Sequence, residues 1–402
     1  MKKSVICVAL FLVALCAFSL FCACNNVPEE NLPAHNWQLQ STSFDGVVGV
    51  QTQYLCNHCG ETKTSSVKNV VLIIGDGMGT EHLKAAQLAE QRTFGFSQWQ
   101  HAMMDTKNVD GEITDSAASA TAMATGNLTV NHAVGQNPDG EDLQTIMDFA
   151  RQKGMRTGFV TTDYLYGATP AAFSAHAPNR DNNVSIFESQ LKCELNLMCV
   201  TYNDTVGLRS DLIAPSNFTL CSKFAKREEV ANAQQALCLF DLEGYGRSVS
   251  LADASTFALD FLRNENGFVL LIEQAHVDKY SHKSNFSSAV NAVISLDNTV
   301  TAVQNWIGDR LDTALIVTAD HETCGLQISQ ENTLPKKATF NSGVTLYYNW
   351  TADYHTDADV DFFYNGFYAD LSQLPVYSDA EKIKNSDVFL IMQHLVQAIT
   401  AN

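Results

Sequence analysis

An α/β fold built on a largely parallel sheet, covered by helices on both faces, is predicted by three apolar runs and by the residues that follow them. Asn69-Val70-Val71-Leu72-Ile73-Ile74 leads into Gly75-Asp76-Gly77, and Gly267-Phe268-Val269-Leu270-Leu271-Ile272 leads into Glu273. Thr313-Ala314-Leu315-Ile316-Val317 likewise runs into Thr318-Ala319-Asp320-His321. Unbroken runs of this length suit strands with no solvated face. Ligands of open α/β sheets bind beyond the carboxyl ends of the strands, where these acids and the imidazole fall. The three ends are therefore expected to meet in one crevice.

The 402 residues suffice for one large α/β domain with an N-terminal appendage. Residues 1–23 place Lys2 and Lys3 before an apolar stretch from Val5 to Phe21, the pattern of an export signal. Ala23-Cys24 before Asn25-Asn26 resembles a bacterial lipoprotein cleavage site. Lipid attachment at Cys24 is expected, with the chain anchored outside the cytoplasm at the cell surface or in the periplasm, or else secreted. Residues 24–66, with Pro28 and Pro33, read as a tether holding a small folded insert. Within it, Cys56-Asn57-His58-Cys59-Gly60 is a CxxC knuckle with His35 upstream, similar to half of a zinc ribbon. A metal site, a Cys56–Cys59 disulfide and two free thiols all fit that spacing.

From residue 67 to 402 the elements follow in order. Asn69 to Ile74 is the first buried strand. Thr114-Asp115-Ser116-Ala117-Ala118-Ser119-Ala120-Thr121-Ala122 suits a closely packed helix whose N-terminus presents the Ser116 hydroxyl and is capped by Asp115. Leu143 to Lys153 reads as an amphipathic helix and Thr157 to Thr161 as the next strand. Cys193, Cys199, Cys221 and Cys238 are candidates for pairing in an exported chain, whereas Cys324 reads as a buried free thiol. Asp278 and His282 lie four residues apart and share a face in a helical turn, where they can grip one cation. His355, in Tyr354-His355-Thr356-Asp357, supplies a third donor. Net charge is −19, from 25 Lys and Arg against 44 Asp and Glu, which disfavours binding to a nucleic-acid duplex.

The donors Asp76, Glu273, Asp278, His282, Asp320, His321 and His355 mix oxygen and nitrogen in a way that suits zinc, with carboxylate-rich positions left for magnesium. Seven segments, in this order along the chain, resemble the alkaline phosphatases. They are Val71 to Gly79, Thr114 to Thr121, Gly167 to Ala172, His176 to Arg180, Glu273 to His282, Thr318 to His321 and His355-Thr356. The resemblance runs from about Val67 to the C-terminus, making 67–402 the catalytic domain. It implies a three-layer α/β/α sandwich with a large, mostly parallel central sheet.

The resemblance further implies two zinc ions, one held by Asp278, His282 and His355 and the other by Asp320, His321 and Asp76. One magnesium would share Asp76 with Thr169 and Glu273. Ser116 would be the nucleophile, Arg180 the clamp on two phosphate oxygens, and Asp115 the brace of that arginine. Lys279 would reach phosphate through water. Together these parts imply hydrolysis of small phosphate monoesters, over a broad range, through covalent phosphoserine, with an optimum above neutral pH. Relatives are often homodimers, so a homodimer is among the expectations.

Some positions depart from the family pattern. Gly167 stands where an outer side chain of the magnesium site is common, and Asp163 is the residue placed to compensate. His276 has no counterpart and reads as structural or as bracing the site. Phe187 to Gly246 lacks a glycine-rich turn. The short span between His321 and His355 implies a reduced crown and open substrate entry. A sulfatase is disfavoured because Ser116 lacks the Cys/Ser-x-Pro-x-Arg context. A phosphodiesterase of the same superfamily and a phosphate- or metal-binding lipoprotein without turnover are the rival readings.

Overall fold

The computed structural model describes residues 35–45, 49–202, 213–244, 248–367, 371 and 382–397. The expected export signal, Cys24 and the proline-bearing part of the tether lie outside the described residues. Two compact units divide the chain: Met1–Gln38 with Tyr54–Lys63, and Leu39–Gln53 with Thr64–Asn402.

β1 (Trp37–Asp45), β2 (Gly49–Cys56) and β3 (Thr62–Ser66) form a three-stranded sheet in that order. In the first unit the chain turns through the knuckle, where Gly60 N donates to Cys56 O at 2.8 Å and Cys56 N to Glu61 O at 2.8 Å. Gly60 sits at φ +73°, a conformation that side chains with a Cβ resist.

In the second unit, β4 (Asn69–Gly75), β5 (Gln100–Asp105), β6 (Arg156–Thr161), β7 (Leu197–Thr201), β8 (Thr219–Cys221), β9 (Ala236–Phe240), β10 (Phe268–Gln274) and β11 (Thr313–Thr318) enter one large sheet. Next in sequence, β12 (Glu322–Thr323) pairs with β16 (His355–Thr356), while β13 (Leu326–Ser329), β14 (Lys336–Thr339) and β15 (Thr345–Trp350) form a small sheet between them. β17 (Val360–Asn365) and β18 (Lys382–Lys384) complete the large sheet, ten strands in the order β18-β5-β17-β11-β4-β10-β6-β7-β9-β8. Every pairing is parallel except the two made by β17. β4 lies at the centre, flanked by β11 and β10, and every residue of it is buried. Burial of side chains such as Val71, Leu72, Ile73 and Ile74 contributes roughly 1.5–3 kcal/mol each, which anchors this strand as the frame of the site.

α1 (Thr80–Glu90), α2 (Ser116–Thr125), α3 (Ile146–Gln152), α4 (Ala168–Ala172), α5 (Asn183–Lys192), α6 (Leu251–Leu262), α7 (His276–Ser281), α8 (Phe286–Ile307) and α9 (Asp387–Gln397) surround the sheet. α8 packs on α1 and α6 in one layer, and α2 packs on α3, α4 and α9 in the other. The product is the three-layer α/β/α sandwich expected from the resemblance. α3 starts at Ile146 rather than Leu143, because Thr145 and Asp148 form a reciprocal capping box that sets the first turn. Cys193, Cys199, Cys221 and Cys238, candidates for pairing, all stand as free thiols. Among the described residues no helix is long and apolar enough to cross a membrane.

Candidate active site

The carboxyl ends of β4, β10 and β11 do meet. Asp76 follows β4, Glu273 lies near the end of β10, and Asp320 and His321 follow β11. Asp278 N donates to Asp76 O at 2.9 Å, which ties α7 to the end of β4. Gly77, at φ +74°, makes this approach possible: a Cβ there would lie 2.5 Å from Thr323 Oγ1 and 2.9 Å from Asp278 Cα.

Two sets of donors converge. In the first, His282 Nε2 lies 3.1 Å from Asp278 Oδ1 and 3.3 Å from His355 Nε2, and His355 Nε2 lies 3.5 Å from Asp278 Oδ1. In the second, His321 Nε2 is 3.3 Å from Asp320 Oδ2 and 3.6 Å from Asp76 Oδ1. A tetrahedral ion with bonds of about 2.05 Å separates its ligand atoms by about 3.3 Å, so both sets have the span a zinc-sized cation requires. Buried Asp76 Oδ1 and Asp320 Oδ2 have no hydrogen-bond partner, as expected of oxygens reserved for a cation.

Hydrogen bonds on the far side of the rings fix which nitrogen faces the centre. Thr114 O can only accept, so His355 Nδ1, at 2.9 Å, carries the proton and leaves Nε2 with its lone pair inward. Thr323 Oγ1 donates to Asp278 Oδ1 at 2.7 Å, so it must accept from His321 Nδ1 at 3.2 Å, again freeing Nε2. Antiparallel pairing of β12 with β16 sets Thr323 opposite His355, which brings both donor sets within reach of one hydroxyl.

Ser116 opens α2, and its Oγ lies 3.2 Å from His321 Nε2, at the edge of the second set. Asp115 is the N-cap: its Oδ1 accepts from Ala118 N at 2.9 Å, and its Oδ2 accepts from Arg180 Nη1 at 3.1 Å and His132 N at 3.2 Å. A third group gathers beside Asp76. The Thr169 hydroxyl is buried without a well-formed hydrogen bond, and Glu273 accepts from Thr161. Asp163 fills the space left by Gly167, where a Cβ would lie 2.5 Å from Asp163 Oδ2. The other oxygen of Asp163 pairs with Lys279 Nζ. His276 Nδ1 lies 3.1 Å from Thr162 Oγ1, and the ring packs on Gly244 and lines a cavity with Asp163 and Lys279.

The electrostatics describe a pocket of acids awaiting positive charge. Burial and the carboxylates of Asp320, Asp278 and Glu273 hold Asp76 well above the usual carboxylate range. Burial, with Asp278 nearby, pushes Asp320 up to about 6, and burial with Asp163 pushes Glu273 up to about 7. Burial and the neighbouring His355 keep His321 neutral, far below the ordinary imidazole range. Asp278 goes the other way: burial opposes its charge, yet the imidazoles of His282 and His355 beside it hold it well below the usual carboxylate range. A cation in either set relieves the crowding of carboxylates.

A sequence model of the alkaline phosphatases matches residues 67–196 and 234–383. The chain belongs to the alkaline phosphatase family. Every donor named above, together with Ser116, Asp115, Arg180 and Lys279, falls inside the matched segments, whereas 197–233, carrying β7 and β8 near the sheet edge, falls outside. Alkaline phosphatase 4 of Bacillus subtilis is 29% identical over 294 residues, which cover 66% of this chain and 63% of the relative. The match thus spans somewhat under two thirds of that relative's length. Alkaline phosphatase of Escherichia coli is 28% identical over 343 residues, covering 67% of this chain and 73% of the relative. The fold matches the alkaline phosphatase of the Antarctic bacterium TAB5 at a TM-score of 0.70 and 23% identity, over 82% of this chain and 98% of that one. The cold-active enzyme of a Shewanella species matches at 0.70 and 24% identity, over 82% and 99%.

Two side chains at this site escaped sequence reasoning. Thr323 lies two residues after His321, and on a strand that spacing puts both on one face. Tyr354, half exposed, stacks on His355 with ring centroids 4.0 Å apart. Its one signal was an aromatic next to a candidate ligand.

Proposed function

We propose that this chain hydrolyses phosphate monoesters through a covalent phosphoserine on Ser116. The observation that carries the reading is the 3.2 Å approach of Ser116 Oγ to His321 Nε2, because it sets a hydroxyl at a helix N-terminus against a cation-binding donor set. Zinc at the Asp278–His282–His355 and Asp76–Asp320–His321 sets, and magnesium at Asp76, Thr169 and Glu273, would stabilise the attacking and leaving oxygens of an in-line displacement.

The protein's own groups do the rest. Ser116 Oγ forms the new bond to phosphorus as the ester oxygen leaves with the alcohol; water then cleaves the phosphoserine, returning the serine and releasing inorganic phosphate. Arg180, held by Asp115, presents its fork to two phosphoryl oxygens, and the first amides of α2 face the same anion. Lys279, pushed up to about 12 by Asp163 against the cost of its own burial, keeps a fixed positive charge beside the site. The short span between His321 and His355 supports open entry and a broad range of small monoesters. Residues 1–24 support an extracytoplasmic location with lipid attachment at Cys24.

The test is hydrolysis of p-nitrophenyl phosphate with added zinc and magnesium, beside Ser116→Ala and bis-p-nitrophenyl phosphate. Monoester turnover that vanishes with Ser116→Ala is expected. Preference for the diester would move the chain to phosphodiesterase chemistry, and no turnover by fully metallated protein would leave a binding protein.

A further inference from the structure

We propose that His35, Cys56 and Cys59 form a separate metal site in the N-terminal unit, taking zinc or a similar borderline-soft divalent cation through two thiolates and one imidazole. The three donor atoms lie within 4.8 Å of one another, and both cysteines are free thiols. Cys59 Sγ is 3.6 Å from His35 Nδ1. A tetrahedral ion bonded at about 2.3 Å to sulfur and about 2.05 Å to nitrogen separates those two atoms by about 3.6 Å.

The histidine is placed rather than incidental. Its ring stacks on Trp37 with centroids 4.8 Å apart and planes 18° from parallel. Asn57 N donates to Asn36 O at 2.9 Å, fastening the residue after His35 to the knuckle that carries the cysteines. The far nitrogen, Nε2, faces Glu61 Oε2 at 3.9 Å. The Glu61 carboxylate is too far for a hydrogen bond but sets a negative charge behind the ring, which favours the proton on Nε2 and leaves Nδ1 to face the thiols. A Cys56–Cys59 disulfide would use neither the imidazole nor the carboxylate behind it. Three donors among the described residues leave the fourth tetrahedral position open to a further ligand.

Cobalt separates this site from the donor sets around Ser116, because only a thiolate ligand gives a near-ultraviolet sulfur-to-cobalt charge-transfer band. Reduced, metal-stripped full-length protein, titrated with cobalt in the absence of oxygen, is expected to develop that band, with a final intensity that corresponds to one thiolate-bound ion per chain. Zinc should abolish it. Cys56→Ser with Cys59→Ser should remove it while leaving p-nitrophenyl phosphate turnover as in the parent. Outer partners of a metal site are worth about 10–100-fold in affinity, so His35→Ala, which removes a direct ligand at an exposed position, should weaken cobalt binding by about a hundredfold or more. No band in the reduced protein, a band that survives the double substitution, or His35→Ala titrating like the parent would each overturn the assignment.

Discussion

Arg180 Nη1 donates to Asp115 Oδ2 at 3.1 Å, while the other oxygen of the same carboxylate caps α2 through Ala118 N at 2.9 Å. One buried side chain therefore fixes both the Arg180 guanidinium and the helix end that carries Ser116. Asp115→Asn can keep the cap but not the charge pairing. It is expected to lower kcat/KM for p-nitrophenyl phosphate by about tenfold with little change in Tm. Asp115→Ala should also lose about 1 kcal/mol of cap stability, read as a drop in denaturant midpoint. An Asn variant with parent kinetics would remove Asp115 as the brace.

Ser116→Ala should reduce monoester turnover by about a thousandfold or more while leaving inorganic phosphate able to bind. Acid quenching with radiolabelled phosphate should label the parent protein and not the variant. Label retained in Ser116→Ala would place the covalent step on another residue.

Chelation should make stability pH-dependent in a sense set by the raised acids. Asp320 has a folded-state pKa of about 6 against an ordinary 3.8, so without a cation the folded chain binds more protons than the unfolded one across that interval. Stability of the stripped protein should therefore fall as pH rises from about 4 to about 6 and stay low above it. Because a bound cation takes the place of the proton, the gap in Tm between metal-loaded and stripped protein should widen over the same interval. A gap independent of pH would mean that these carboxylates are not the ones neutralised.

Thr323→Val keeps the volume and deletes the hydroxyl that links Asp278 to His321. Zinc affinity is expected to fall by about 10–100-fold, measured by competition with a chromogenic chelator, with Thr323→Ser close to the parent. Equal affinity in Thr323→Val and the parent would show that the rings are oriented by packing alone.

His82 provides a second pH signature of opposite sign. Burial lowers it to about 4 from 6.5, so the unfolded chain takes up a proton in this range before the folded one does. Its contribution is fully present above pH 6.5 and is lost as pH falls toward 4, at a total cost of about 3 kcal/mol. His82→Gln can retain the hydrogen bond that Nε2 makes with Ser281 Oγ at 3.0 Å. That variant should flatten the acid limb of the urea stability profile, and an unchanged limb would assign it to other groups.

What could be read before the structure follows from how strongly each feature depends on local sequence. β4, β10 and β11 were legible because strands buried on both faces leave unbroken apolar runs, and the donors at their ends follow directly in sequence. The helix start at Ser116 was legible from a capping carboxylate and small residues. β17 was not: its reversed direction is decided by partners on β5 and β11 that lie far away in the chain. The start of α3 was missed because Thr145 and Asp148 cap each other more strongly than the apolar period alone suggests. Pairing among the cysteines was misjudged for a related reason. Cys199, Cys238 and Cys221 occupy register-matched positions on β7, β9 and β8, so proximity there comes from parallel strands. Thr323 and Tyr354 each carry one side chain of information, and only the folded chain reveals what they touch.

The central place of β4 has a consequence for how the molecule is made. It is the earliest of the ten sheet strands in the chain, yet its neighbours β10 and β11 come late; the Asn69–Thr313 hydrogen bond joins residues 244 positions apart. Its backbone edges therefore stay unsatisfied through most of synthesis, and closing such long loops makes folding slow. During that interval Val70 to Ile74 is an exposed, uncharged β-forming segment, the kind that pairs with other chains. The strand that later leads into Asp76 is, before the chain is finished, an aggregation hazard, and holding it apart from neighbours is the task left to whatever escorts the nascent protein.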